Sequence, residues 1–522
     1  MFKSKKTTLL VLLVLVMSLT LTACGGGDEP ADTGDGDGGD GNGGGGDGQT
    51  LVVAQGADPK SLDPHASNDQ PSSRVNKQIY DSLVMSNEDM ELEPGLAESW
   101  EQIDDLTWEF KLREGVMFHN GEELKASDVV FSYERMMDSG EVAHIIGAVD
   151  SVEADGDYTV IVKTEEPFAP LLSHLAHTAA SIFSEKAVTE AGDNYVNEPV
   201  GTGPYKFKEH QSGDKVVLER FDDYFRGPSE IEIVEFRNVP EGTSRVIGLE
   251  TGEIDIGYEI EPIDRSAIRD NEDLELVEEQ SLSTQYIGFN TQKEPYDNTE
   301  VRQALNHAIN VEEIIEVVLE GGGTKATGPI NDRVFGYEEG LEGYDFDPEK
   351  SKEMLADAGY PDGFETTIWT NDNPVRETIA TVVQEHLREV GVTAEIETVE
   401  WGTYLDRTAA GEHDMFILGW VTVTGDADYG LYSLFHSSQH GGAGNRTFFE
   451  NDKVDELLDK GRTSIDEDER LEAYNEAQEI IVEEAPQLFL YFENQNAGIQ
   501  NNVKGFELNP AGHHSVYGVT LE

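Results

Sequence analysis

Residues 366–399 read TTIWTNDNPVRETIATVVQEHLREVGVTAEIETV. Thr366–Trp369 is rich in β-branched and aromatic residues, which suits a strand. Val375–Val390 places Ile379, Val382, Val383 and Leu387 on one face at helical spacing, and Gly391 supplies a stop. Ala394–Val399 is strand-like again. Strand, helix and strand imply a parallel pair joined by a crossover, an α/β unit. Met415–Gly419 is a short apolar run that continues the same sheet.

The chain changes character where that run ends. Residues 418–449, LGWVTVTGDADYGLYSLFHSSQHGGAGNRTFF, hold the aromatics Trp420, Tyr429, Tyr432 and Phe435, the acids Asp426 and Asp428, one base, Arg446, and a run of glycines. Aromatic surface, both charge signs and backbone freedom are what a small-molecule pocket needs. The competing reading is a strand end followed by a solvated Gly-rich loop.

On either side the pattern divides in two. Asn298–Ile309 is helical, with Val301, Ala304, Leu305, Ala308 and Ile309 on one face, and Asn310 caps a second helix with Glu313 in the capping-box place. Ser464–Glu484 is a long amphipathic helix opened by Ser464 with Glu467 and closed before Pro486; Gln487–Phe492 is a last strand. The first half is β-rich with few long helices. Leu51–Ala54 is a strand followed by the turn-rich Asp58–Asn68. Leu106, Trp108, Phe110 and Leu112 alternate, and a hairpin is expected around Asp155-Gly156-Asp157. Val216–Arg220 and Ile231–Arg237 are further strands.

The 522 residues carry 36 Lys and Arg against 105 Asp and Glu, a formal charge of −69. Beyond residue 50 there are 33 bases and 98 acids, so the body itself is near −65. That excess repels nucleic-acid phosphates and anionic membranes, and it strains a compact fold unless salt screens it, which a high-salt habitat would explain. Cys24 is the only cysteine, so no intramolecular disulfide is possible. Lys3, Lys5 and Lys6, an apolar run from Leu9 to Leu21 and Leu21-Thr22-Ala23-Cys24 read as an export signal, residues 1–24. Its end resembles the lipobox of bacterial lipoproteins, which makes Cys24 the expected lipidation site. Residues 25–50 are almost all Gly and Asp, a flexible linker; the calcium-like spacing from Asp35 fails at Gly46, where a Glu is required.

No Walker A, GxSxG, HExxH or CxxC sequence occurs. Gly201-Thr202-Gly203-Pro204-Tyr205 lacks the third glycine of a dinucleotide loop and reads as a tight turn. The pairs His174/His177, His436/His440 and His513/His514 have no cysteine partner, so neither metal nor cofactor is expected. Paired carboxylates of the glycosidase kind occur everywhere among 105 acids and point nowhere. The chain is not expected to be an enzyme. A secreted hydrolase or glycosidase, or an adhesin using the same cleft, is the alternative.

Residues 97–134, AESWEQIDDLTWEFKLREGVMFHNGEELKASDVVFSYE, resemble the signature segment of the family 5 bacterial extracellular solute-binding proteins, the peptide, dipeptide, glutathione and nickel receptors of ABC importers. Gly201–Tyr205, Asn290, Val301–Leu305 with Ala308–Asn310, Trp401 and Gly419-Trp420 continue the match over residues 51–522 in order. The resemblance implies a two-lobed, type II periplasmic-binding-protein-like α/β fold with an extra β-rich domain. Residues 51–88, 198–290 and 485–522 would form lobe I, 89–197 the extra domain and 291–484 lobe II, with crossovers near Phe289 and Pro486. It implies a monomeric receptor that closes on a peptide or peptide-like (glutathione-like) solute and hands it to a permease, held to the cell membrane from outside. In peptide-binding members an aspartate three residues after the Gly-Trp tryptophan pairs with the ligand ammonium; here that position is Val423. The ligand residues expected are Trp401, Trp420, Asp426, Asp428, Tyr429, Asn445, Arg446 and His65. An acid for an ammonium and Arg446 for a carboxylate suit a zwitterion.

Overall fold

The computed structural model describes residues 49–522; the expected export signal, Cys24 and nearly all of the expected linker lie outside them. The unit at 366–399 forms as its pattern requires. Glu365–Asn371 and Thr393–Val399 are parallel strands, and Pro374–Glu389 is the crossover helix. Asn373 caps that helix, its side chain accepting from the Arg376 amide, and Pro374 fits the first turn. Ile379, Val383 and Leu387 are buried against the sheet. Each such side chain contributes roughly 2 kcal/mol when taken from water.

Met415–Val421 lies parallel to Glu365–Asn371 and antiparallel to a sixteen-residue strand, Leu274–Phe289. That strand pairs with Gln487–Gln500 on both sides of a break at Ser281–Ser283. The two are shared by both halves of an eleven-stranded sheet. Thr284–Gly288 and Gln487–Phe492 lie among strands of residues 323–421, whereas Leu274–Gln280 and Asn494–Gln500 lie beside Ile256–Tyr258, Thr50–Gln55 and the antiparallel set from 205 to 238. Between the halves the register shifts, from Gln280 to Thr284. Ser281 bridges the irregularity, its hydroxyl donating to the Glu493 carbonyl at 2.8 Å.

A second, four-stranded antiparallel sheet stands apart: Ala97–Asp104, Thr107–Leu112, Thr159–Thr164 and Val149–Ala154. Its core joins Phe110, Leu112, Val160 and Val162 to the helix Ala126–Met137. Gly201 and Gly203 lie in a bend rather than a hydrogen-bonded turn, and they are glycines for a packing reason. A Cβ at Gly201 would come within 2.1 Å of the Ile79 carbonyl oxygen, and one at Gly203 within 2.6 Å of that of Gln78.

Two readings change. The long helix is Glu467–Glu484, capped by Asp466, while Ser464 ends a preceding helix, Asp452–Thr463, that the pattern did not announce. The first half also contains Gln70–Ile79, a helix whose buried side chains are mostly polar.

Candidate ligand-binding site

A cavity of about 690 Å³ opens between the four-stranded-sheet region and the wall that follows Met415–Val421. Trp420, near the end of that strand, is half-buried; its indole N–H donates to the Tyr429 carbonyl at 3.1 Å, and its ring centroid lies 5.6 Å from that of Tyr429. Trp401 opens the helix Trp401–Ala409, whose cap is Glu400. It is stacked beside Tyr404 and 43% exposed, a large aromatic face left open to the cavity. Residues 428–432 wind as a π-helical turn, a form that often marks functional sites, and bring Asp428, Tyr429 and Tyr432 to the wall.

Arg446 lines the same cavity, and the loop before it is built to hold it. Gly444 has φ +150°, and a Cβ there would come within 2.4 Å of the Ser433 carbonyl oxygen, so no other residue fits. Asn445 is fully buried. Its amide donates to the carbonyls of His436 and Phe449 at 3.2 and 3.0 Å and accepts from the Thr447 hydroxyl and the Phe449 amide. The residue expected to touch ligand therefore braces the loop. Arg446 Nε donates to Thr408 Oγ1 at 3.2 Å, and the side chain is 9% exposed. No carboxylate among the described residues pairs with it.

The two acids of the loop stand otherwise. Asp426 is buried away from the cavity, and both its oxygens accept from Arg470 Nη2, at 2.9 and 2.8 Å. Burial raises its carboxyl even against that charge. Asp428 lines the cavity yet is held by Arg462, at 2.8 and 3.1 Å to its two oxygens, with His174 Nε2 3.6 Å away. Burial pushes the Asp428 carboxyl up; His174 and Arg462 outweigh it and hold it at about 2. Neither acid is free to receive an ammonium, because each already has its cation.

His65 lies outside the cavity. Its ring packs 4.5 Å from that of Phe183, and burial, with Arg135 nearby, lowers it to about 3. The loop after the first strand turns inward here because Asp63 pairs with Arg135 on the Ala126–Met137 helix. The structure thus brings Trp401, Trp420, Asp428, Tyr429 and Arg446 to one cavity and leaves His65, Asp426 and Asn445 off it.

Nothing in the sequence pointed to the opposite wall as a binding surface, His174 having stood out only as half of a histidine pair. Phe168 and His174 come from the segment after the four-stranded sheet, and their rings sit 5.0 Å apart. His174 Nδ1 lies 2.6 Å from the Ile145 carbonyl oxygen, while Nε2 is buried without a hydrogen-bond partner. Glu165 and Glu166 line the exposed rim. Among the described residues no cluster of three His, Cys, Asp or Glu side chains is placed to hold a metal, and no helix is long and apolar enough to cross a membrane.

The family model for bacterial extracellular solute-binding proteins, family 5, matches residues 91–442. The chain belongs to that family. It is similar to heme-binding protein A of Haemophilus influenzae, 32% identical over 480 residues, which are 85% of this chain and 87% of that protein. To the glutathione-binding protein of Pectobacterium atrosepticum it is 33% identical over 474 residues, 88% and 91% of the two chains. Among solved structures, the periplasmic binding protein DppA of Helicobacter pylori in complex with the peptide STSA superposes with a TM-score of 0.80 at 33% identity, covering 91% of this chain and 98% of that one. Such neighbours agree with the two-lobed α/β periplasmic-binding fold of the family 5 proteins.

Proposed function

We propose that this family 5 protein is the extracytoplasmic receptor of an ABC importer, and that it captures a peptide or peptide-like solute in the 690 Å³ cavity. The observation that carries the reading is Arg446, a buried cation without a carboxylate partner on a wall that also presents Trp401 and Trp420. A planar guanidinium receives a carboxylate through two parallel bonds, and flanking aromatics exclude water and strengthen that pairing. Relatives that bind heme, glutathione and the peptide STSA by name support a carboxylate-bearing ligand.

Capture is a hinge motion about Leu274–Phe289 and Gln487–Gln500. The register shift between Gln280 and Thr284 is the natural pivot, with lobe I and the β-rich domain on one side and lobe II on the other. Ligand contacts to both sides favour the closed state. The partner is the permease, and the product of capture is the unchanged solute; the protein is not an enzyme. Cys24 carries the lipid, the Gly/Asp linker spaces a monomeric body from the membrane, and the acidic surface suits a saline exterior.

The test is to purify the body, denature it and identify by mass spectrometry what is released. Adding that compound back should raise the melting midpoint by mass action on the native state, and the compound should be recovered intact. Conversion of the compound by clean protein would establish the hydrolase reading instead.

A further inference from the structure

We propose that the cavity anchors its ligand by a carboxylate and leaves the amino end unclamped, so that N-acylated peptides bind as well as free ones. The inference rests on the peptide reading above and names which half of the peptide that site reads. It follows from where charge remains unmatched.

On the cationic side, Arg446 gives only Nε to the protein, through Thr408 Oγ1. The two Nη groups bond to no other described residue, and the side chain lines the cavity. Its ionisable neighbours add no negative charge: Tyr286 is pushed up to about 12 and Tyr404 higher still, in each case by burial, and His413 is lowered to about 3 by burial and Lys293. A desolvated guanidinium with an open fork is a strong site for a carboxylate.

On the anionic side nothing equivalent lines this cavity among the described residues. Asp426 is engaged by Arg470 and lies off the cavity, and Asp428 is engaged by Arg462. An incoming ammonium would have to displace a guanidinium that already makes two bonds. The other acids on the wall, Glu165 and Glu166, are exposed at the rim. A pair formed there is screened by water and salt and changes affinity by less than about fivefold. Recognition is therefore lopsided. The carboxyl end meets a buried charge, and the amino end meets solvent.

The probe is an equimolar library of di- and tripeptides prepared in free, N-acetyl, C-amide and doubly blocked forms, with retained peptides quantified after rapid gel filtration. The N-acetyl set should be retained within about fivefold of the free set, whereas the C-amide and doubly blocked sets should fall at least about thirtyfold. Arg446→Gln should remove the difference between free and C-amide peptides, and its melting curve checks that it folds; Arg446→Lys, which keeps charge without the fork, should restore part of it. Loss of the N-acetyl set while the C-amide set stays bound would overturn the proposal and leave the peptide reading standing. Equal retention of all four sets would do the same. Retention of none of them by cooperatively melting wild-type protein would overturn the peptide reading, and this inference with it.

Discussion

The two ends of the loop between residues 426 and 446 look alike in sequence and are opposite in structure. Each places charged side chains among glycines beside aromatics. At the first end, Arg470 and Arg462, from the two helices that follow the loop, reach back and neutralise Asp426 and Asp428. At the other end, Arg446 is also buried but meets only a hydroxyl. In a chain with 105 acids and 36 bases, an acid that has found a cation has become part of the fold. Arg245 is buried without an ion pair too, but its guanidinium is used up on the Val239, Pro240 and Glu259 carbonyls, whereas both Nη groups of Arg446 are left over on a cavity wall, where the proposed ligand carboxylate would supply the missing charge.

Acid should have the largest effect, through buried groups around the loop and elsewhere. Burial lowers His65 and His413 to about 3, below the unfolded value near 6.5. The unfolded chain then binds protons that the folded chain refuses, so stability is intact above about pH 6.5 and falls as pH drops toward 3. At pH 5 each histidine should remove roughly 2 kcal/mol. Asp428, depressed to about 2, holds its stabilisation above its unfolded value and loses it between about pH 4 and 2. Melting midpoints measured at constant salt from pH 8 to 4 should therefore fall. A flat profile would mean that these groups are not buried as described.

Removing one partner at the first end should cost about 3 kcal/mol of stability, because Asp426→Ala leaves the Arg470 guanidinium buried and unpaired. Arg446→Ala, which strands no charged partner, should cost less than about 1 kcal/mol. Urea unfolding of both variants checks the contrast. Equal losses would erase the distinction between engaged acid and waiting base.

Trp420, on the same cavity wall as Tyr429 and Arg446, tests whether that wall binds anything. Truncation of a buried aromatic anchor typically costs roughly 2 kcal/mol of binding, so Trp420→Ala should weaken the co-purified ligand about thirtyfold by titration calorimetry. Lys460→Ala, on an exposed face of the helix Asp452–Thr463, should bind like wild type.

How much of this was legible in the sequence depends on where the partners lie. The unit at 366–399 could be read to within a residue or two at most of its boundaries, because each element announces its buried face in its own residues. Gln70–Ile79 could not. It buries Arg74 and Gln78 by giving their side chains to the backbone at Gly512 and His514, so no apolar period exists to find. The aromatic wall was visible for the same local reason: Trp420 lies near the end of one strand and Trp401 follows the end of another. The pairings of Asp426 and Asp428 were hidden, since 44 and 34 residues separate them from their arginines, and spacing over such distances carries no geometry. Phe168 was hidden further still, and His174 was visible only as half of a histidine pair, because their segment meets the loop only once the sheets have formed.

The smallest effect expected is that of salt on the body as a whole. Its 33 bases and 98 acids make repulsions far more numerous than attractions. Salt weakens both, including exposed pairs such as Lys163–Glu153 and Lys453–Glu476, but an isolated surface pair contributes only about 0.5 kcal/mol. The many like-charge contacts gain more from a Debye length that shrinks from about 10 Å at 0.1 M to about 3 Å at 1 M. The buried pairs at Asp426 and Asp428 are screened least and stay intact at either concentration. Lowering sodium chloride from molar to about 0.1 M should therefore lower the melting midpoint by a few degrees while leaving the Asp426→Ala penalty unchanged. A midpoint that holds or rises as salt is removed would show that the surface charge is spaced widely enough not to repel, and the saline reading of the composition would go with it.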